Sequence, residues 1–196
     1  MQEKLDKEVS ERRMAGPFSD WPLQELIISP VGLVPKKEPG QFRLIQHLSW
    51  PEGQSVNDYI PDDLGTVSYS SVDVAMGLVL DIGPGAEMAK SDIKSAFRLL
   101  PVHPEDFELL GIHFNGKWYV DKALPMGCSI SCSLFETFST FLEWVFSKVT
   151  GSSRVTHYLD DFFFVGTPGS ADCQKQLAGF KELMEYLGVP LATEKT

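Results

Sequence analysis

Residues 155–165 read VTHYLDDFFFV, two short apolar runs that enclose a pair of adjacent aspartates. The runs at 155–158 and 162–165 have the length and the β-branched or aromatic content of strands. This pattern predicts a hairpin with Asp160 and Asp161 at or near its turn. One aspartate is common in a turn, but two adjacent carboxylates repel each other, so turn preference explains the pair less well.

A third carboxylate, Asp92, closes the short run that begins at Met88. If this run is a strand beside the hairpin, Asp92, Asp160 and Asp161 converge at one edge of the sheet. Two Mg²⁺ ions about 3.5–4 Å apart need such a carboxylate set, with substrate phosphates completing their coordination. The sequence therefore predicts a two-metal site for Mg²⁺, with Mn²⁺ as an alternative ion.

The rest of the chain alternates between helical and strand patterns, which predicts an α+β fold with an antiparallel sheet. Within it, Asn115-Gly116 is a strong signal for a hairpin turn. Predicted helices cover Leu5 to Met14, Ser70 or Ser71 to about Leu80, Ile130 to Val149 and Asp172 to Leu187, and further strands cover Val31 to Val34, Phe42 to Leu48, Leu109 to Phe114 and Lys117 to Val120. The predicted apolar stripe of the third helix consists of Ile130, Leu134, Phe138, Phe141, Leu142, Val145 and Val149.

Composition excludes several other classes of protein. The chain has 196 residues, no apolar stretch of the roughly 18 residues that span a bilayer, and three cysteines without paired spacing. We expect no membrane partner, no disulfide framework, and an intracellular location, cytoplasmic or nuclear, without secretion. The four histidines have no metal-ligand spacing. A net charge of −10 argues against a nucleic-acid partner, although a carboxylate site and local basic patches can coexist with an acidic whole.

Three motifs, in order, resemble the catalytic motifs of reverse transcriptases. The first is Asp92-Ile93-Lys94-Ser95-Ala96-Phe97, the second is Leu124-Pro125-Met126-Gly127 before a long helix, and the third is Tyr158-Leu159-Asp160-Asp161. Val34-Pro35-Lys36-Lys37, Phe42-Arg43-Leu44-Ile45 and Thr193-Glu194-Lys195 are also similar to family segments. Within the family the chain looks closest to long-terminal-repeat retrotransposons of the tyrosine-recombinase (DIRS-like) type.

The resemblance implies a role for each matching residue. Asp92 and Asp160 would be the principal metal ligands, with Asp161 completing the acidic set. Arg43 would reach the phosphates of the incoming nucleotide, since its guanidinium suits bidentate contact. Lys36 or Lys37 would act beside it as a point charge, although a solvated turn explains each lysine equally well.

The remaining implied roles concern the sugar, the base and the leaving group. Phe97 would lie under the sugar and exclude a 2′-hydroxyl, which selects deoxynucleotides; a core phenylalanine is the alternative. Met126 and Gly127 would shape the pocket for the new base pair, and Gly127 would allow a close backbone approach. Tyr158 would also contact the nucleotide, and Lys195 would protonate the leaving pyrophosphate.

The implied architecture is the fingers and palm of a right-hand polymerase, with an antiparallel palm sheet packed on helices. We expect a helical extension over 1–27, fingers over 28–68 and 101–128, and palm over 69–100 and 129–196. In the family a thumb follows, and often a ribonuclease H domain. Because the sequence ends at Thr196 without them, we expect the chain to need these parts of a parent polyprotein and to have weak activity alone.

The implied activity is RNA-directed DNA polymerisation, which adds deoxynucleoside triphosphates to a primer on an RNA or DNA template. Two other functions stay open. The chain could be an inactive, retroelement-derived module that binds nucleic acid or protein. It could also be a metal-dependent nuclease or phosphatase that uses the same carboxylates.

Overall fold

The computed structural model describes residues 1–36 and 39–192, which form five α-helices and eight strands in a mixed order. The helices are α1 (Gln2–Ser10), α2 (Asp62–Gly65), α3 (Val72–Ile82), α4 (Ser131–Thr150) and α5 (Asp172–Leu187). The strands are β1 (Met14–Phe18), β2 (Val31–Pro35), β3 (Phe42–Gln46), β4 (Glu87–Asp92), β5 (Gly111–Phe114), β6 (Lys117–Asp121), β7 (Val155–Tyr158) and β8 (Asp161–Gly166). Short 3₁₀ helices cover Val56–Tyr59, Ala96–Leu99 and Pro104–Leu109.

The chain divides into two compact units, each made of two separate segments. The first unit comprises Met1–Thr66 and Phe97–Cys132, and the second comprises Val67–Ala96 and the chain from Ser133 onward. Every strand pairing lies within one unit and is antiparallel. The sequence prediction of an α+β fold built on antiparallel sheets is therefore confirmed.

The first unit contains two small sheets, one in the order β1-β6-β5 and one formed by β2 and β3. They contain two hairpins, β2–β3 and β5–β6, the second of which was predicted from Asn115-Gly116. Asn115 and Gly116 turn the second hairpin with positive φ angles of 50° and 69°, a conformation that these two residue types adopt readily.

The predicted helix from Leu5 to Met14 is wrong at its C-terminal end. The helix ends at Ser10, and Met14 begins β1, where it pairs with Asp121 of β6. Nor is this segment fully solvent-facing, because Leu5 and Met14 pack with Ile112 and Tyr119 in a buried cluster. Residues 1–27 therefore contain a strand of the first unit's sheet as well as a helix, since burial of Met14 outweighs its helical propensity.

The second unit is built on a sheet in the order β4-β8-β7. Phe162 and Phe164 lie on the same face of β8, as expected for residues two apart in a strand. The ring of Phe180 from α5 lies 4.6 Å from that of Phe162 and 5.2 Å from that of Phe164, measured between centroids. Phe146 from α4 meets Phe164 at 5.7 Å. These fully buried rings fix both helices against the central strand.

The apolar stripe predicted for α4 is mostly not its buried face. Leu134, Phe141 and Val149 are 44%, 49% and 70% exposed, and of the predicted stripe only Leu142 is fully buried. The buried positions are Ser131, Phe135, Glu136, Ser139, Leu142 and Phe146. Three of these residues are polar, so apolar periodicity alone does not select the buried face.

No helix in the described part of the chain is long and apolar enough to cross a membrane.

Candidate active site

The pairing of β4 with β8 brings two of the predicted carboxylates together. Six consecutive residue pairs run from Glu87 opposite Gly166 to Asp92 opposite Asp161. Asp92 therefore ends β4 at the point where Asp161 begins β8. Asp92 is only 3% exposed, whereas Asp161 is open to solvent.

A tight turn places the third carboxylate beside them. Tyr158 pairs with Asp161, which leaves Leu159 and Asp160 as a two-residue turn between β7 and β8. The carbonyl of Asp160 accepts a hydrogen bond from the backbone N–H of Ile93 at 2.9 Å. Because Ile93 follows Asp92 directly, this bond ties the turn to the end of β4. The predicted convergence of three aspartates at one sheet edge is thus confirmed for their backbone positions.

The proximity of these carboxylates changes the pKa of Asp161. A hydrogen bond with the side chain of Asp92, partial burial, and the negative charges of Asp92 and Asp160 raise the pKa of Asp161 to about 6, and nearby Lys90 lowers it. A carboxyl group surrounded by others in this way gains from a bound cation, and carboxylate oxygens are the ligands that Mg²⁺ prefers.

The three aspartates suit a divalent cation in two respects: their carboxylate oxygens are the right donors, and their backbone positions are close together. Within residues 1–36 and 39–192, no three His, Cys, Asp or Glu side chains are arranged to hold one metal ion together. Asp92 and Asp161 form the close pair, and Asp160 is near enough to raise the pKa of Asp161.

The predicted phosphate contacts lie on the β2–β3 hairpin of the first unit. Arg43 is exposed and pairs with Val34 across the hairpin. Lys36 is also exposed, and its backbone N–H donates to the carbonyl of Gln41 at 2.8 Å. Lys37 lies outside the described residues. These positions keep both described side chains accessible, and their phosphate role stays a prediction.

Met126 and Gly127 pack against the end of the same hairpin. The carbonyl of Met126 accepts a hydrogen bond from the backbone N–H of Gln46 at 3.0 Å. Gly127 has a φ of 119°, and a Cβ there would lie 2.0 Å from the carbonyl oxygen of Gln46. Gly127 therefore lies at a close approach to the backbone of β3, and its role in a base-pair pocket stays a prediction.

The remaining predicted site residues, Phe97, Tyr158 and Lys195, lie in different parts of the chain. Phe97 is half-buried in the 3₁₀ helix Ala96–Leu99. Tyr158 is 51% exposed, and its ring lies 4.9 Å from that of Tyr69 between centroids. Lys195 lies outside the described residues. Neither the sugar-gate role of Phe97 nor the nucleotide contact of Tyr158 is tested by these positions.

Glu136, a buried carboxylate on α4 beside the turn of Leu159 and Asp160, was not among the residues predicted from the sequence. Its Oε2 accepts a hydrogen bond from the backbone N–H of Leu159 at 3.1 Å. Its Oε1 lies 3.3 Å from Nε2 of His157, a buried residue with satisfied polar atoms. A glutamate among the apolar residues of a helix is the signal that could have revealed this contact, because buried carboxylates need partners.

The sequence profile of one protein family matches most of the chain, residues 34–196. That family is described as reverse transcriptase (RNA-dependent DNA polymerase). The chain belongs to the reverse transcriptase family. No curated protein sequence matches this reverse transcriptase domain in full-chain comparison.

Solved structures show the same fold. A foamy viral protease-reverse transcriptase in complex with double-stranded DNA superposes with a TM-score of 0.77 at 19% identity, covering 97% of this chain and 30% of the viral one. A second such complex gives a TM-score of 0.74 at 21% identity, covering 99% and 36%. The native prototype foamy virus enzyme gives 0.69 at 20% identity, covering 97% and 22%.

These matches identify the fold as that of the fingers and palm of a reverse transcriptase. The reverse transcriptase domain spans about a third or less of the length of the viral proteins. Members of the family use divalent metal ions, which agrees with the carboxylates at the β4–β8 edge.

Proposed function

We propose that this domain carries the polymerase active site of a retroelement reverse transcriptase, with Asp92, Asp160 and Asp161 as the metal-binding carboxylates. The observation that carries the proposal is the register of β4 and β8, which sets Asp92 opposite Asp161 beside the Asp160 turn. Membership of the reverse transcriptase family supports the reaction class.

The three aspartates would hold two Mg²⁺ ions, with Mn²⁺ able to replace them. When bound, such ions lower the pKa of a primer 3′-hydroxyl and stabilise the charge of the triphosphate and of the leaving pyrophosphate. The contribution of the protein is position: a buried Asp92 at the end of β4, and a short turn that holds Asp160 and Asp161 at the same edge. In phosphoryl transfer, position and charge account for most of the catalysis.

The substrates of the proposed reaction are a primed RNA or DNA template and deoxynucleoside triphosphates. We further propose that the element is of the long-terminal-repeat type, closest to the tyrosine-recombinase group, on the basis of Leu124-Pro125-Met126-Gly127-Cys128-Ser129-Ile130-Ser131 and Ser55-Val56-Asn57-Asp58. Thumb and ribonuclease H regions would come from the parent polyprotein. We propose in addition that the domain alone extends a primer weakly.

A single-nucleotide incorporation assay tests the proposal without requiring processive synthesis. A labelled primer on an RNA or DNA template, one matching deoxynucleotide and Mg²⁺ should give a product one nucleotide longer. Asp92→Asn and Asp160→Asn should each abolish the product, whereas Asp172→Asn, which removes an aspartate at the start of α5, should retain it.

Two outcomes would overturn the polymerase assignment. Primer–template binding without incorporation, unchanged in Asp160→Asn, would instead indicate a binding module. Metal-dependent hydrolysis of the nucleic acid or of the triphosphate, without extension, would indicate a hydrolase that uses the same carboxylates.

A further inference from the structure

The turn between β7 and β8 contains a residue in a conformation that a leucine rarely adopts. Leu159 has a φ of 51°, in the left-handed region where the side chain of an L-residue crowds the backbone. Two-residue hairpin turns that need a positive φ usually place glycine or asparagine there. An interaction outside the turn must therefore favour this conformation, and Asp160 follows directly in the chain.

That interaction is the hydrogen bond from the backbone N–H of Leu159 to Oε2 of Glu136, at 3.1 Å. A carboxylate acceptor makes this bond charge-assisted, roughly twice as strong as a bond to a neutral acceptor. Glu136 is 6% exposed, so little water competes for its oxygens.

Glu136 is itself held by a buried histidine. Nε2 of His157 lies 3.3 Å from Oε1 of Glu136, and Nδ1 of His157 lies 2.5 Å from Oε2 of Glu143, two helical turns further along α4. The imidazole ring stacks on Phe162, with centroids 5.4 Å apart and planes inclined by 24°. Because His157 belongs to β7 and its ring stacks on Phe162 of β8, the sheet holds the ring that contacts the carboxylate receiving the N–H of Leu159.

We propose that Glu136 is a positioning residue for the catalytic turn, and the inference rests on the function proposed above. Its carboxylate secures Leu159 in the left-handed conformation, and this conformation sets Asp160 and Asp161 against Asp92 despite the repulsion between their charges. Glu136 itself is not a metal ligand in this assignment, since both of its oxygens face protein groups.

Hydrogen exchange at the Leu159 amide tests the contact without reference to activity. In the full chain, Glu136→Leu removes the acceptor and should speed exchange at Leu159 by about tenfold or more, the factor expected for a lost bond to a charged group. Glu136→Gln retains an acceptor oxygen and should stay within about threefold of the wild type. Glu182→Gln, an exposed position on α5, is the control and should leave exchange at Leu159 unchanged. Equal exchange in wild type and Glu136→Leu would overturn the proposal.

The amide proton resonance of Leu159 gives a second measurement, which does not require Glu136→Leu to fold. Replacing the carboxylate with the weaker amide acceptor in Glu136→Gln should move this resonance upfield, while Glu182→Gln should not. A resonance that is the same in wild type and Glu136→Gln would also overturn the assignment.

Kinetics then separate positioning from plain structural support. Glu136→Leu should lower kcat for single-nucleotide incorporation by about 10–100-fold with little change in KM for the nucleotide, because displaced carboxylates affect the transition state most. Glu136→Gln should restore most of kcat. An equal loss in both variants, or a loss confined to KM, would contradict a positioning role. If wild type shows no incorporation while exchange and resonance behave as expected, the proposed function fails and the turn contact stands.

Discussion

Asp92 and Asp161 lie directly opposite each other in the register of β4 and β8. Like charges at such a position destabilise a strand pair, and the pKa of Asp161 is raised to about 6 by a hydrogen bond with Asp92, by partial burial, and by the charges of Asp92 and Asp160. The folded chain therefore tolerates an unfavourable charge arrangement at the edge where the metal ligands are proposed. Such strain between charges is common where a site must bind a cation.

Removing one of these charges should stabilise the metal-free protein. At pH 7 and in the presence of a chelator, Asp161→Asn is expected to raise Tm by about 1–3 °C, a modest gain because solvent reaches this side chain. The same variant should lose magnesium-dependent incorporation. Differential scanning fluorimetry provides the measurement.

Asp172→Asn is the matched control for this prediction. Hydrogen bonds from Ser170 and Thr167 hold the pKa of Asp172 below its ordinary value, so its charge is favourable in the folded state. Its removal should leave Tm unchanged or lower it. A similar rise in Tm for both variants would show that repulsion by Asp92 is not the cause.

The part of the site that could be predicted from sequence is the part that strand pairing determines. The short apolar run that ends in Asp92 and the hairpin at 155–165 are enough to predict that Asp92 lies near Asp160 and Asp161. Helix α5 was predicted with its observed limits because Gly188 ends it in the left-handed conformation. The chemical roles of these residues stay predictions.

Contacts between side chains far apart in sequence could not be predicted. Glu136 and Leu159 are 23 positions apart, and Glu8 and Arg98 are 90 apart. Apolar periodicity predicts which face of a helix or strand is apolar, but it does not predict which residue pairs with a buried charge. The same limit explains the error in α4, whose buried face includes polar residues that apolar periodicity does not mark.

Glu8 should make the stability of the first unit depend on pH. Burial by itself raises the pKa of Glu8, but hydrogen bonds and charges from Arg13 and Arg98 outweigh it and leave this pKa below its ordinary value. A lowered carboxyl pKa contributes stability above the unfolded-state value, about 4.3–4.5, and loses it as pH falls through the folded-state value. The free-energy difference between wild type and Glu8→Gln should therefore be large at pH 6 and shrink below about pH 4.

Urea unfolding at a series of pH values measures this difference. Glu3→Gln, an exposed position on the same helix, provides the comparison and should show a much smaller effect at pH 6. A difference for Glu8→Gln that grows as the pH falls would contradict the assigned sign.

Arg98 should be among the most sensitive positions for folding. Its guanidinium binds Asp121 through two bonds of 2.7 Å, contacts Glu8 at 2.9 Å, and donates to the carbonyls of Ala123 and Leu124. Arg98→Met would leave the buried carboxylate of Asp121 uncompensated and remove one of the two arginines that bind Glu8, and we expect a loss of about 3–5 kcal/mol in the free energy of unfolding.

Two further variants make the prediction for Arg98 specific. Adding Asp121→Leu to Arg98→Met removes the stranded charge, so the double variant should lose less than the sum of the single losses. Arg154→Met breaks a 3.8 Å contact with Asp172 whose side chains are 43% and 45% exposed, and should lower the free energy of unfolding far less than Arg98→Met does. Equal losses for Arg98→Met and Arg154→Met would contradict the buried network.

Gly127 should tolerate no side chain, because the backbone of β3 occupies the space. An alanine Cβ there would meet the carbonyl oxygen of Gln46 at 2.0 Å, and the φ of 119° is unfavourable for any L-residue. The added Cβ and the Gln46 carbonyl oxygen are both fixed to the backbone, so the clash can be relieved only by moving β3 or the segment that contains Met126. We expect Gly127→Ala to reduce the free energy of unfolding by roughly 2–4 kcal/mol.

Gly32→Ala is the control for Gly127→Ala, since it lies in the strand paired with β3 and an added Cβ finds no atom within 4 Å. Its conformation suits alanine, so its stability should equal or slightly exceed that of wild type. Chemical denaturation of both variants measures the difference. Gly127→Ala should also weaken nucleotide binding if Met126 shapes the base-pair pocket, because the same displacement moves Met126. A stable Gly127→Ala variant would show that the approach to Gln46 is looser than the structure indicates.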